Sequence, residues 1–169
     1  MPTKWLDDDE QAAWRSYLMT SQLLFEALDR QMQRDAGMPH AYYILLAMLS
    51  EQPNRALTMS QLARIVGYSP SRLSHAVARL EEQGWVRRTR HPGDRRTTIL
   101  ELTDEGMEVV KASAPGHVAE VRRILFDALT PEQVTALRTI NDAALARLLV
   151  EDDCSGPRSR VRGVGGPLS

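Results

Sequence analysis

Residues 58–102, TMSQLARIVGYSPSRLSHAVARLEEQGWVRRTRHPGDRRTTILEL, constrain the fold more than any other stretch of the chain. Thr58 and Gln61 stand at capping-box spacing, where a hydroxyl and an amide each satisfy an orphan backbone N–H of a new helix. Leu62, Ile65 and Val66 then recur at helical spacing. Gly67 stops that helix, because glycine adopts a left-handed C-cap without steric cost. Ser69 and Pro70 start the next one as N-cap and first helical residue. Only Gly67 and Tyr68 lie between the two helices, a corner short enough for a helix-turn-helix.

The second helix is predicted over about 70–83. Leu73, Ala76, Val77 and Leu80 form its buried stripe. Ser71, His75 and Ala78 point the opposite way, flanked by Arg72, Ser74 and Arg79. Hydroxyl, imidazole and guanidinium groups of this kind reach base edges and phosphates. An ordinary polar surface helix would carry the same face, so this helix alone does not separate the two readings.

The next segment separates them. Gly84 ends the helix, and residues 85–90 and 97–102 alternate and carry β-branched side chains as strands do. Between them, residues 91–96 (HPGDRR) form a basic turn predicted to be too long for a two-residue hairpin. Helix, turn, helix, strand, projecting basic loop, strand is the order of a winged helix-turn-helix, suited to a DNA major groove with the loop reaching the adjacent minor groove. Charge falls in the same place. Residues 55–98 carry nine arginines against three acidic side chains, net +6, whereas residues 1–54 are net −4 and residues 99–169 net −3. A near-neutral chain thus concentrates its positive charge where a nucleic-acid reader is expected.

The flanks read as helices. Asp7, Asp8 or Asp9 caps a first helix to about Ala36, with apolar positions Trp14, Leu18, Leu24, Phe25 and Leu28; Gly37 breaks it. Pro39 opens a second helix to about Ser50. After the wing, Thr103 caps a helix expected to reach Leu129, kinked or split by Pro115 and Gly116. Thr130 and Gln133 cap a last helix. These helices have apolar faces and little globular core to cover them, which predicts pairing with a second copy. The domain reading is therefore: 1–54, N-terminal helices for dimerisation and a ligand pocket; 55–102, the winged helix-turn-helix; 103–151, C-terminal dimerisation helices; 152–169, a disordered tail.

Composition bounds the chemistry. Of 169 residues 43% are hydrophobic, yet no apolar run approaches the roughly 20 residues that span a bilayer. The acidic start lacks an apolar signal segment, so a cytoplasmic protein without membrane contact is expected. The single cysteine, Cys154, excludes an intrachain disulfide and sits beside Asp152 and Asp153, which disfavour the reactive thiolate. His40, His75, His91 and His117 lack ligand spacing, so no metal site and no cofactor are expected. No phosphate loop or nucleophile elbow is present, which argues against an enzyme.

The segments SQLA (60–63), SPSRL (69–73), LEEQGWV (80–86), DRR (94–96) and LTDEG (102–106) together resemble the MarR (multiple-antibiotic-resistance regulator) family over roughly residues 10–150. The resemblance implies a homodimeric repressor, or less often an activator, whose first and last helices interlock. It implies binding to a palindromic double-stranded DNA operator. Ser69, Ser71, Arg72, Ser74 and His75 fall on its recognition-helix positions, Arg96 on its minor-groove wing arginine and Asp94 on the acid that fixes the wing. Arg79, Arg88, Arg90 and Arg95 complete the expected DNA contacts. Many members release DNA on binding a small, often aromatic and anionic, effector. Trp14, Arg15, Tyr17, Met19, His40, Tyr42 and Tyr43 are the candidate pocket here, although aromatic residues on helical faces also serve as core or interface. The alternative function is a winged-helix protein–protein interaction module that does not read DNA.

Overall fold

Capping chemistry sets the element boundaries. The computed structural model describes residues 3–91 and 93–153. In it the chain runs α1 (Asp8–Ala36), α2 (His40–Ser50), β1 (Ala56–Thr58), α3 (Met59–Val66), α4 (Pro70–Glu82), β2 (Val86–His91), β3 (Asp94–Leu102) and α5 (Asp104–Ile124), then a 3-10 turn (Phe126–Ala128) and α6 (Pro131–Asp153). The Asp7 carboxylate accepts from the Glu10 N–H at 2.8 Å while Glu10 accepts from the Asp7 N–H at 3.0 Å, so Asp7 is the cap of α1. Gly37 closes α1 in the left-handed conformation. Asp29 of α1 accepts the His40 N–H at 2.8 Å, which satisfies an orphan donor at the start of α2 and ties the two helices together. Thr58 with Gln61, Ser69, and Thr130 with Gln133 cap α3, α4 and α6 as predicted.

The chain divides into two compact units, the first ending at Ile124 and the second starting at Leu125. The first unit is built on one apolar core. Leu45, Leu46 and Leu49 of α2 meet Leu62 of α3, Leu73, Val77 and Leu80 of α4, and Leu100 of β3, all fully buried. Each such side chain contributes about 2 kcal/mol by leaving water. The stripes predicted for α3 and α4 are therefore the faces that hold the helix-turn-helix on its base, and their opposite faces are left to solvent. The second unit contains the 3-10 turn and α6, whose Ile140, Leu145 and Leu148 are exposed.

Four features differ from the sequence expectations. The sheet has three strands, not two: β3 lies between β1 and β2, and β1 pairs antiparallel with it, Leu57 opposite Leu100. Only three residues long, β1 carries no period to read; Arg55, at φ 51°, turns the chain into it. The wing strands also extend further, to His91 and from Asp94, which pair with each other. Only residues 92 and 93 lie between them in the sequence, and the pairing is irregular between Arg90 and His91. Third, α5 is not split at Pro115 and ends at Ile124 rather than Leu129. Gly116 lies against α1, where an added Cβ would come within 3.1 Å of Gln31 Nε2. Tertiary packing of α5 on α1 thus holds the helix through a proline that would break it in isolation. Fourth, α6 continues to Asp153, past the expected boundary at 151; Cys154 and the rest of the expected tail lie outside the described residues.

Candidate nucleic-acid interface

Local chemistry fixes the start of α4 and the face it presents. Ser69 Oγ accepts the Arg72 N–H at 3.2 Å, and Pro70 occupies the first helical position. Leu73, Ala76, Val77 and Leu80 face the core, so Ser71, Arg72, Ser74, His75 and Arg79 are exposed together on the far side. Ala78, expected on that outer face, is half-buried. The Arg72 guanidinium sits 4.0 Å above the Tyr68 ring centre. This cation–π contact anchors the arginine at the helix-turn-helix corner while its N–H groups stay available. Tyr68 was not among the expected interface residues; the signal that could have found it is an aromatic four residues before an arginine across a helix start.

The wing is held by its own polar ladder. Glu101 of β3 accepts from Arg87 Nε at 2.6 Å and Thr89 Oγ1 at 2.8 Å across the strands. Those two hydrogen bonds, Thr89 foremost, draw its carboxyl below the usual carboxylate range. At the tip, Asp94 accepts from the Arg96 N–H at 2.9 Å and Thr97 Oγ1 at 2.7 Å, and these bonds, the Arg96 N–H foremost, lower its pKa. Asp94 therefore shapes the turn that presents Arg96. Both are exposed, as is Arg90.

Four of the nine arginines of the basic segment are paired with acids. Arg55 pairs with Asp104 at 3.0 Å, Arg79 with Glu82 at 2.8 Å, Arg87 with Glu101, and Arg88 with Glu81 at 3.3 Å. Among the described residues, no ion pair or side-chain hydrogen bond engages Arg90 or Arg96. Arg95 lies on β3 between Asp94 and Arg96. Arg64 of α3 and Arg72 of α4 form no ion pair among the described residues either, so the charge excess is partly neutralised within the fold and what remains is shared by α3, α4 and the wing.

The junction of wing and α5 explains the LTDEG motif. Thr103 Oγ1 donates to the Gly84 carbonyl at 2.7 Å and accepts the Gly106 N–H at 3.0 Å. Gly106 packs so tightly on the entry to β2 that an added Cβ would lie 2.1 Å from the Trp85 carbonyl oxygen. The threonine caps α5 and grips the turn that ends α4; the glycine allows the approach.

The expected ligand residues do not come together. Trp14 and Tyr17 stack at 6.1 Å on an exposed stretch of α1 that also carries Met19 and Arg15, the latter hydrogen-bonded to Gln11 at 2.9 Å. His40 and Tyr43 are buried instead, with Tyr42 partly buried beside them. The His40 ring stacks on His117 of α5 at 5.1 Å and lies 6.2 Å from Phe25. Burial, with the neighbouring His117, lowers the pKa of His40 to about 4; burial lowers that of His117 too. Among the described residues, no group of three or more His, Cys, Asp or Glu is placed to hold a metal ion, and no helix is long and apolar enough to cross a membrane.

Comparison with known proteins decides the relationship. The MarR family model matches residues 36–97. The HTH-type transcriptional regulator PecS of Dickeya dadantii is 31% identical over 120 residues, covering 71% of this chain and 72% of that protein. This chain belongs to the MarR family. Among solved MarR-family regulators, Sco3205 from Streptomyces coelicolor, determined in complex with DNA, is 53% identical, with a TM-score of 0.82 over 85% of this chain and 90% of that one. AbsC from the same organism is 39% identical, with a TM-score of 0.81 over 86% and 98%. The fold is therefore the MarR winged helix.

Proposed function

We propose that this member of the family is a sequence-specific, double-stranded-DNA-binding transcriptional regulator of the cytoplasm that binds a palindromic operator as a homodimer and acts as a ligand-responsive repressor rather than an enzyme. The observation that carries the DNA reading is the division of the arginines: four are matched by acids of the fold, whereas Arg72 on α4 and Arg90 and Arg96 on the wing are exposed without an acidic partner among the described residues. Ser69, Ser71, Arg72, Ser74, His75 and Arg79 would read the major groove, with Arg90, Arg95 and Arg96 on the adjacent backbone and minor groove. Exposed apolar side chains on two helices favour the dimer. On α1, Tyr17, Met19, Leu23 and Phe25 are all more than half exposed, and on α6 Ile140 is 66% exposed; large apolar surface of this kind marks an interface. For the effector, Trp14, Tyr17 and Arg15 offer two rings and a cation on one helix, the chemistry an anionic aromatic molecule requires.

The test is a mobility-shift titration of the full chain against the DNA upstream of its own gene and a scrambled duplex of equal length. Binding to the native duplex at least about a thousandfold tighter is expected for a specific regulator. Equal binding to both duplexes, or competition by an acidic protein and not by DNA, would favour the interaction-module alternative.

A further inference from the structure

Arg88, expected from the sequence to contact DNA, lies against α4 and keeps part of its surface exposed. Its Nε lies 3.3 Å from Glu81 Oε2, and its Nη2 donates to the Ser74 carbonyl oxygen at 3.2 Å. Its backbone N–H donates to the other Glu81 oxygen at 3.2 Å. The Arg88 and Glu81 side chains are only 34% and 32% exposed, against 67% and 57% for the surface pair Arg79–Glu82. Ser74 and Glu81 stand two turns apart on α4, and the Ser74 carbonyl oxygen and the Glu81 carboxylate converge on this one guanidinium. One guanidinium fork, from the strand that leads to the wing tip, thus grips the recognition helix at two points. A single contact would leave a hinge; two fix both the distance and the angle.

We propose that Arg88 and Glu81 are positioning residues that set the geometry between α4 and the wing, and thereby the ability of the two to read one DNA segment in register. This role rests on the DNA-binding reading. Groups held in a fixed relation bind without the cost of ordering themselves, whereas a loose wing still finds phosphates but loses its register with the helix. Arg88 therefore supports specificity without itself neutralising a phosphate.

The sign of one substitution separates this role from a direct contact. The full-length protein is titrated over a salt series with a duplex it selects from a random-sequence library and with a scrambled duplex. Variants are Arg88→Ala, Arg88→Lys, Glu81→Ala and the double alanine form. Each single variant should weaken binding to the selected duplex about tenfold, a coupling within the range of interacting neighbours. Binding to scrambled DNA and the salt slope should stay as in the parent, and the double variant should be no worse than either single. Glu81→Ala should weaken binding even though it removes a negative charge near DNA, and Arg88→Lys should fail because an ammonium lacks the two-pronged fork. If Glu81→Ala binds equally or more tightly, Arg88→Lys is tolerated and Arg88→Ala makes the salt slope shallower by about one, Arg88 is a phosphate contact and the proposal is overturned. Thermal melts accompany each titration. Where an alanine variant unfolds, Glu81→Gln, which keeps an acceptor for the Arg88 N–H and loses the ion pair, is read by the same criteria. A parent protein that does not distinguish the two duplexes contradicts the DNA-binding reading itself rather than the positioning role.

Discussion

At the scale of single residues, the arginines of the basic segment differ in what holds them. Ser69, Thr58 and Thr103 were legible because capping acts within four residues. Which arginines are held by acids was not, because Glu101 and Asp104 reach Arg87 and Arg55 from 14 and 49 positions away. Arg90→Ala and Arg96→Ala should each weaken binding to any duplex and lower the salt slope by about one, whereas Arg87→Ala should leave the slope unchanged; fluorescence anisotropy across a salt series measures both. Buried His40 gives a second prediction. Its pKa, about 4 in the fold, lies below the ordinary 6.5. The unfolded chain therefore binds more protons between those values, and stability falls as pH drops from about 6.5 towards 4. The loss should be about 2 kcal/mol near pH 4.5, and His40→Phe should flatten this part of the melting-temperature profile. An unchanged profile would mean that other groups govern it.

At the scale of elements, helices with caps and stripes were readable, and elements made by tertiary contact were not. Strand β1 exists because β3 offers it a partner, not because three residues of ALT prefer extension. Pro115 stays inside α5 because Gly116 lets α1 pack close. Gly106 stood out in the sequence only as part of a family motif, and its reason is the backbone of Trp85 pressed against it. Gly106→Ala should accordingly cost on the order of 3 kcal/mol, read from urea unfolding, since neither the carbonyl nor the helix can yield cheaply. Ala112→Gly, at an exposed position of the same helix, should cost about 1 kcal/mol. Equal losses at the two sites would remove the packing explanation of the motif.

At the scale of the whole molecule, the winged-helix unit was legible in order and nearly in boundary, because each of its turns is marked by glycine, proline or a capping hydroxyl. The burial of the aromatic side chains was not. Helical spacing reports which face a ring occupies, not whether another helix covers it, so it does not separate exposed Trp14 from buried His40. The exposed apolar side chains of α1 and α6 carry the dimer prediction. Met19→Glu with Ile140→Glu should shift the protein from dimer to monomer in sedimentation equilibrium and abolish operator binding, while leaving the far-ultraviolet helix signal largely in place. In the proposed function, two such winged helices related by a two-fold axis read DNA sequence. The most direct test is selection of duplexes from a random-sequence library by the full-length protein. An inverted repeat whose half-sites are centred about one helical turn apart is the predicted outcome; recovery of no enriched sequence, or of a single half-site without its symmetric mate, would contradict it.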